Sequence, residues 1–299
     1  MTRRRIVGIA LLRNEEYFTT WSIASAVEFC HEFLVVENRS TDGTLEKVEA
    51  LRNRFPRITL HQVEDPNRSH RYIEEYAGQD VWVFGVDGDE IYDREGLARL
   101  RPRILEGEFD AWWRMDGHML HATRLDLERG RGTGYATPAT PSVTKLFNFG
   151  ALTSWKEPNR ERLHGHNMEF RKGWSRKHVL HRYRKESWDS TDFRALHLCF
   201  FPRTSVDRVD PTRRPNPSEL RVGRLGKAHN FLKNFLANPF SRDASYKTRR
   251  YRRGELVERD VSAFGRPGAW RDLDPQADGV EAILGGRDPA GGSPSSLPG

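Results

Sequence analysis

Two aspartates separated by a single glycine have the residue types and the spacing that most clearly favour chemistry. Asp87 and Asp89 follow a short apolar run at residues 81–86, and Glu90 stands beside them. Carboxylates at this spacing on a turn can converge on one Mg²⁺ or Mn²⁺ and leave positions open for two phosphate oxygens. Such an ion would neutralise a departing diphosphate. The alternative interpretation is an acidic turn that is only solvated.

The elements that must position these aspartates alternate along the first hundred residues. The apolar runs predict strands at 6–12, 33–37, 58–63 and 81–86, separated by predicted helices at 15–32, 44–54 and 69–77. Short continuous apolar runs between helices favour a mostly parallel sheet that is covered on both faces. Such sheets bind ligands at the carboxyl ends of their strands. We therefore expect the polar turns at 13–15, 37–42 and 87–90 to meet in one crevice.

The pattern is looser beyond residue 100. A helix is predicted at 94–105, strands at 109–115, 142–149, 178–183 and 194–201, a loop at 130–141 and a further helix at 222–236. The Gly-, Pro- and Ser-rich end from 276 to 299 predicts a disordered tail.

Composition limits the class of protein. The 299 residues, 36% of them hydrophobic, can form one catalytic domain with extensions, and the net charge of +7 favours anionic partners without choosing among them. Cys30 and Cys199 lie in apolar stretches, which favours reduced thiols and a cytoplasmic location. No stretch approaches the roughly 20 apolar residues of a membrane helix, so any membrane association would be peripheral.

Three motifs in register resemble the family 2 glycosyltransferases with the GT-A fold. They are Asn14-Glu15 after the first strand, Glu37 followed by Ser-Thr-Asp-Gly-Thr at 40–44, and the Asp-Gly-Asp-Glu run at 87–90. The resemblance covers roughly residues 5–120. It implies a GT-A-like, Rossmann-type α/β fold with a mostly parallel sheet flanked by helices and a C-terminal acceptor-side extension. Residues 1–120 would bind nucleotide sugar and metal, and residues 121–275 would form the acceptor side.

The activity implied by the resemblance is transfer of a hexosyl or related group. The donor would be a nucleoside-diphosphate sugar, with a UDP-sugar favoured, and the cofactor Mn²⁺ or Mg²⁺. The acceptor would be the hydroxyl of a glycan or lipid-linked molecule in bacterial polysaccharide or glycoconjugate synthesis. An inverting transfer is the interpretation we adopt, and a retaining one stays open.

The resemblance also implies a set of donor-binding residues. Glu37 would accept hydrogen bonds from the base or ribose, the backbone at 11–13 would contact the base, and Arg71 would reach a phosphate. A capping network around residues 41–44 is the alternative role of Glu37. Family members more often have Asp and Gly at 38–39, so the base stays open. The full set is Leu12, Arg13, Asn14, Glu37, Asn38, Asp42, Arg71, Asp87, Gly88 and Arg203.

A histidine from the second half of the chain would complete the metal site of Asp87 and Asp89, as the resemblance implies. His197 ranks first because a polar residue in an apolar strand needs a partner. His164 ranks second and His181 third. A structural or surface role is the alternative for each histidine.

A carboxylate is also needed to take the proton of the acceptor hydroxyl. Glu157 and Asp116 are the candidates, since each follows a predicted strand near the crevice. Placement on the surface is the alternative for both.

Other classes of function compete with this interpretation. A nucleotidyltransferase usually has a Gly-rich basic loop after its first strand. This chain has Leu-Leu-Arg-Asn-Glu there, which argues against that class of enzyme. The basic residues are spread among acidic ones without a recognised motif, so we expect no specific nucleic-acid partner. An inactive transferase homologue is disfavoured by the intact aspartate pair. The basic run at 246–255 is either a site for an anionic headgroup or a solvated helix end.

Overall fold

The computed structural model describes residues 4–137, 145–156, 163, 167–206 and 251–285. The predicted helix at 222–236 and the first half of the basic run at 246–255 lie outside these ranges.

Strands dominate the described residues. The strands are β1 (Arg5–Leu12), β2 (Glu32–Glu37), β3 (Ile58–Gln62), β4 (Val81–Asp87), β5 (Glu90–Tyr92), β6 (Arg114–Asp116), β7 (His118–Asp126), β8 (Arg131–Ala136), β9 (Lys145–Asn148), β10 (Leu152–Trp155), β11 (Met168–Phe170), β12 (Val179–His181), β13 (Arg194–His197) and β14 (Leu256–Asp260). The α-helices are α1 (Thr19–Ala26), α2 (Thr44–Arg54), α3 (Arg71–Glu74), α4 (Arg94–Leu105) and α5 (Ala277–Leu284).

A seven-stranded sheet forms the centre of the fold. Its strand order is β12-β6-β9-β4-β1-β2-β3. Strands β4, β1, β2 and β3 are mutually parallel, and β9 runs antiparallel to both β4 and β6. The predicted fold class, an α/β fold with a mostly parallel sheet flanked by helices, is therefore confirmed. Strands from both sides of residue 120 share this sheet, since β9 lies between β4 and β6.

Both faces of this sheet are covered, which explains the unbroken apolar runs. Ile6 and Leu12 of β1 pack into one core together with α1, α2 and α4. Val7 and Ile9 pack into a second core that includes Ile73 of α3. Because successive strand residues face opposite sides, a strand buried on both sides must be apolar throughout.

A second sheet, of five strands, continues from the aspartate turn. Its order is β14-β8-β7-β13-β5, and β5 begins at Glu90. The predicted loop at 130–141 is wrong in its first part, because β8 pairs antiparallel with β7 there. A side chain at Gly134 would bring its Cβ within 2.3 Å of the His121 carbonyl oxygen. The glycines that suggested a loop instead allow close backbone approach within a strand.

Two predicted elements are shorter than expected. The helix predicted at 15–32 begins only at Thr19, after a turn in which Asn14 has a positive φ of 51°. The helix predicted at 69–77 contains only the single turn of α3. Hydrogen bonds from the backbone amides of residues 14–16 to side chains at 40–44 limit the first of these helices.

The C-terminal segment is ordered further than its composition suggested. The disordered tail predicted from residue 276 is wrong for α5, because Ala277, Val280 and Leu284 are buried. Their spacing places them on one helix face, which packs into a third core around the second sheet. Just before α5, Asp274 forms a buried ion pair of 2.8 Å with Lys47 of α2. Within the described ranges, no helix has both the length and the apolar content needed to cross a membrane.

Alanine at Gly279 of α5 is expected to stabilise the protein by about 0.5–1 kcal/mol, because glycine is unfavourable inside a helix. A Cβ at this position would meet no atom within 4 Å. Gly8→Ala in β1 is the opposite case, since its Cβ would lie 2.4 Å from the Phe33 ring. That overpacking should destabilise the protein by about 1–3 kcal/mol. Urea unfolding of both variants measures these changes, and a destabilising Gly279→Ala would contradict the placement of α5.

Candidate active site

Three turns meet at the carboxyl edge of the seven-stranded sheet. Leu11 of β1 pairs with Val36 of β2 on one side and with Asp87 of β4 on the other. Leu12 pairs with Glu37. The polar residues that follow β1, β2 and β4 therefore leave the sheet side by side, where parallel α/β folds bind their ligands.

Hydrogen bonds join the turn after β1 to the turn after β2. The Asn14 amide donates to Ser40 Oγ at 3.0 Å, and Asn14 Oδ1 accepts from the Thr41 amide at 2.8 Å. The Glu15 amide donates to Thr44 Oγ1 at 2.8 Å. These contacts fix the backbone that carries Glu15 toward the turn after β4.

The acidic residues after β2 shape their own turn. Glu37 is buried, and its carboxylate accepts hydrogen bonds from the amides of Arg39 and Ser40 at 3.1 and 2.5 Å. Asp42 Oδ1 accepts from the Thr44 amide at 3.0 Å at the start of α2. Glu37 thus closes the turn at residues 39–40, ahead of α2, and only Asp42 bonds an amide of the helix. The predicted roles of both carboxylates in donor binding stay predictions.

Asn38 connects three strand ends. Its Oδ1 accepts from Arg13 Nη1 at 3.1 Å, and its Nδ2 donates to the carbonyl oxygens of Val63 and Glu64 at 2.8 and 3.1 Å. Arg71 is the first residue of α3. It lines a cavity of about 470 Å³ together with Gln62, Val63, Glu64, Asp65, Arg68 and Tyr72.

Four carboxylates, which we call the acidic cluster, gather at the end of β4: Glu15, Asp87, Asp89 and Glu90. Asp89 is 1% exposed and Glu90 is fully buried, whereas the side chain of Asp87 is 28% exposed. The Asp87 amide donates to Glu90 Oε2 at 3.1 Å, which closes the turn. A Cβ at Gly88 would lie 2.9 Å from Leu12 and 3.0 Å from Glu15, so the absence of a side chain there lets the turns approach.

Two permanent cations contact this cluster. Lys145 Nζ of β9 lies 2.6 Å from Asp87 Oδ2 and 2.9 Å from Glu90 Oε1. Arg203 lies 2.7 Å from Asp89 Oδ2 through Nη2 and 3.2 Å from Glu15 Oε1 through Nη1. Four carboxylates against two permanent cations leave a formal excess of two negative charges in the cluster.

His197 is the second positively charged neighbour of Asp89, after Arg203. Its Nε2 lies 3.2 Å from Asp89 Oδ2. Burial lowers the pKa of His197, but Cys199 and Asp89 outweigh burial and raise this pKa well above its usual value. Burial also raises the pKa of Asp89, but the charges of Arg203 and His197 outweigh it and hold that pKa well below the usual range. Asp89 is therefore ionised at neutral pH.

The donor set around Asp89 fits a hard divalent cation. Carboxylate oxygens of Asp87 and Asp89 with one imidazole nitrogen of His197 are ligands that suit Mn²⁺ or Mg²⁺. A metal ligand must be a neutral imidazole, and with His197 neutral the excess of two negative charges matches the charge of such an ion. Of the other predicted ligands, His164 lies outside the described residues, and His181 contacts Asp116 instead.

Asp116 ends β6, at the same sheet edge as Asp87. Strand β6 runs parallel to β4 because both are antiparallel to β9. With β9 between them, the two strands lie about 10 Å apart, at about 4.8 Å per strand. Asp116 Oδ2 lies 2.9 Å from His181 Nδ1, and Oδ1 lies 2.9 Å from Arg114 Nε. Burial is the main cause that raises the pKa of Asp116, against the opposing charges of Arg114 and His181. Glu157, the other predicted base, lies outside the described residues.

Two residues of this region were not predicted from the sequence. Lys145 stands in the apolar stretch Ser-Val-Thr-Lys-Leu-Phe, and His121 stands in Met-Leu-His-Ala-Thr. A lone lysine or histidine in a buried strand needs a polar partner, which is the signal that could have identified both. The same signal, applied to His197, predicted a polar partner that the structure identifies as Asp89.

Comparisons with known proteins add little to this geometry. No protein-family model matches the chain, and no curated protein matches it. Among solved structures, the chain is similar to the mannosyltransferase PcManGT from Pyrobaculum calidifontis in complex with GDP-Man and Mn²⁺. That similarity has a TM-score of 0.38 and 13% sequence identity over 94% of this chain and 75% of the other. At this level the similarity carries no weight for function, which has to follow from the chain's own site.

Proposed function

We propose that this chain is a glycosyltransferase that moves a sugar from a nucleoside-diphosphate sugar to an acceptor hydroxyl. The observation that carries the proposal is the acidic cluster, which stands at the carboxyl edge of the parallel strands with two negative charges in excess. Asp87, its partly exposed member, gives the cluster an opening to solvent. A site of this kind suits a divalent ion that holds a diphosphate.

Asp87, Asp89 and His197 are the ligands that we propose for this ion. The ion would neutralise the charge that develops on the departing diphosphate. Arg203 keeps Asp89 ionised and in place through the contact of 2.7 Å. Lys145 retains Glu90 as a partner at 2.9 Å when Asp87 turns to the ion. The chain thus supplies both the ligands and the counter-charges that hold them.

The nucleoside would lie over the turns after β1 and β2. The joined turns carry Leu12, Arg13, Asn14, Glu37, Asn38 and Asp42. Asn38 donates to the carbonyl oxygens of Val63 and Glu64, two residues that line the same cavity as Arg71. The cavity, at about 470 Å³, falls in the usual range for a small-molecule pocket. A UDP-sugar is our first choice of donor, and GDP-sugars come next because residues 38 and 39 leave the base open.

Asp116 is our proposed base for the acceptor hydroxyl in an inverting transfer. Its strand lies about 10 Å from that of Asp87, which leaves room for a sugar between the two carboxylates. The raised pKa of Asp116, caused mainly by burial, moves this carboxylate closer to the range of an efficient general base. Glu157 is the second candidate. The acceptor would be a glycan or lipid-linked molecule of bacterial polysaccharide or glycoconjugate synthesis, used in the cytoplasm or at the inner membrane face.

A donor screen tests this function. The purified chain is incubated with UDP-glucose, UDP-galactose, UDP-N-acetylglucosamine or GDP-mannose and with Mn²⁺, Mg²⁺ or EDTA, and the released nucleotide is identified. We expect slow, metal-dependent release of the nucleoside diphosphate from one donor, with water as the acceptor. Metal-dependent formation of a nucleoside triphosphate from donor and pyrophosphate would instead assign a nucleotidyltransferase. Salt-dependent binding of random RNA without any nucleotide turnover would assign a nucleic-acid-binding protein.

A further inference from the structure

A second buried histidine lies directly behind His197. Strands β13 and β7 are parallel neighbours, and their register pairs His197 with His121. Residues that face each other in this way project from the same side of a sheet. The two Nδ1 atoms are 2.7 Å apart, and both side chains are buried.

Once His197 binds a metal ion, this short contact decides which of its nitrogens keeps a proton. Two ring nitrogens at hydrogen-bond distance need one N–H donor and one bare acceptor. A metal ligand must present a bare nitrogen, and the nitrogen of His197 that faces Asp89 is Nε2, at 3.2 Å. The proton of a metal-bound His197 therefore lies on Nδ1 and is donated to Nδ1 of His121.

Tyr251 holds this pair of rings in place. Its ring stacks on that of His121, with centroids 4.8 Å apart and planes 23° apart. It meets the ring of His197 edge-on at 5.1 Å. Rotation of either imidazole would break an aromatic contact and the hydrogen bond between the two histidines.

We propose that His121 is a positioning residue, which selects the tautomer and orientation of His197 that present Nε2 to the metal. The proposal rests on the proposed function, because it assumes a divalent ion at Asp89. Partners of this kind, on the far nitrogen of a ligating histidine, typically change metal affinity 10–100-fold when they are lost.

A competing interpretation makes the histidines part of a separate site. Ligand atoms of His121, His197 and Cys199 lie within 4.8 Å of one another, and a set of two imidazoles and a thiolate would suit Zn²⁺. One observation favours the positioning role. The separation of 2.7 Å between the Nδ1 atoms is a hydrogen-bond length.

The test compares two replacements of His121 in the full chain. His121→Phe keeps an aromatic ring but removes the acceptor, whereas His121→Asn places an amide oxygen near the position of Nδ1. Titration of free Mn²⁺ by electron paramagnetic resonance should show binding weakened about 10–100-fold in the Phe variant. The Asn variant should recover most of that loss. His118→Phe is the matched control, because His118 also lies on β7 but contacts the Glu186 carbonyl oxygen, and it should bind Mn²⁺ like the parent.

Each contrary outcome is distinguishable. A folded His121→Phe variant with parental Mn²⁺ affinity would overturn the positioning role and leave the proposed function intact. A parent protein that binds no Mn²⁺ would remove the proposed metal site and this inference together. One equivalent of tightly bound zinc, lost in both His121→Phe and Cys199→Ser, would overturn the positioning role in favour of a zinc site. If the Phe variant does not fold, His121→Gln, whose amide lies near the Nε2 position, replaces it with the same expected loss.

Discussion

Asp87→Asn is expected to lower turnover of the nucleotide sugar about 1000-fold, which corresponds to about 4 kcal/mol of lost transition-state stabilisation. The amide keeps the shape of the side chain but removes the charge that the proposed metal ion needs. Because the ion is expected to act on the departing diphosphate, the loss should fall mainly on kcat. Steady-state kinetics with the donor identified in the screen measures this change.

The fold of this variant should survive. The Asp87 side chain is 28% exposed, and Lys145 retains its contact of 2.9 Å with Glu90. Surface charges of this kind contribute about 0–1 kcal/mol to stability. The unfolding midpoint should therefore stay near that of the parent, which separates a catalytic loss from unfolding.

Asp278→Asn is the matched control for this experiment. Asp278 is an exposed carboxylate on α5 whose partner is Arg271, at 2.7 Å. Its replacement should change neither turnover nor stability appreciably. Equal turnover in the Asp87 and Asp278 variants would rule out a metal site at Asp87.

Arg203→Met is expected to destabilise the protein by about 3–5 kcal/mol, because it leaves the buried Asp89 carboxylate without its nearest cation. Asp89 is 1% exposed, and Arg203 Nη2 lies 2.7 Å from it. Methionine keeps much of the apolar volume of the arginine stem, so lost packing contributes little. Turnover should fall as well, since Asp89 loses the contact that orients it. Urea unfolding monitored by circular dichroism measures the stability change.

A double variant separates charge from packing. Arg203→Met combined with Asp89→Asn removes both charges, so part of the stability lost in the single variant should return. Arg271→Met, which breaks an exposed ion pair, should cost less than about 1 kcal/mol. A single Arg203→Met variant as stable as Arg271→Met would contradict the assignment of Arg203 as the buried partner of Asp89.

The sequence predicted the first half of the fold, in which strands and helices alternate regularly. Strands β1, β2 and β4 are nearly unbroken apolar runs because both faces of their sheet are covered, whereas the edge strand β3 is partly polar and partly exposed. Strand β8 was not predicted because its glycines resemble those of a loop. They are needed because the backbone of β8 lies very close to that of β7, which no local sequence pattern indicates. Helix α5 was not predicted because the Gly-, Pro- and Ser-rich residues beyond it dominate the composition of the C-terminus.

The residues of the candidate site also fall into two groups, those with a local sequence signal and those without one. The spacing of Asp87 and Asp89 at a strand end is a local signal, and so is a histidine in an apolar strand such as His197. Lys145 and His121 were missed because only strand pairing brings them to their partners, which are Asp87 for Lys145, 58 residues away, and His197 for His121, 76 residues away. Pairing over such distances depends on strand order, which the sequence pattern did not provide for the second half of the chain.

Calorimetric titration tests the aspartate metal site most directly. The full chain is titrated with UDP and with GDP, each first in the presence of Mn²⁺ and then in EDTA. The site predicts that one of the two nucleotides binds at one equivalent with Mn²⁺. Binding should be at least about 100-fold weaker in EDTA, a difference of about 2.7 kcal/mol. It should also be lost in Asp87→Asn. Equal affinity with and without the metal, or unchanged affinity in that variant, would contradict a diphosphate held by an ion at Asp87 and Asp89.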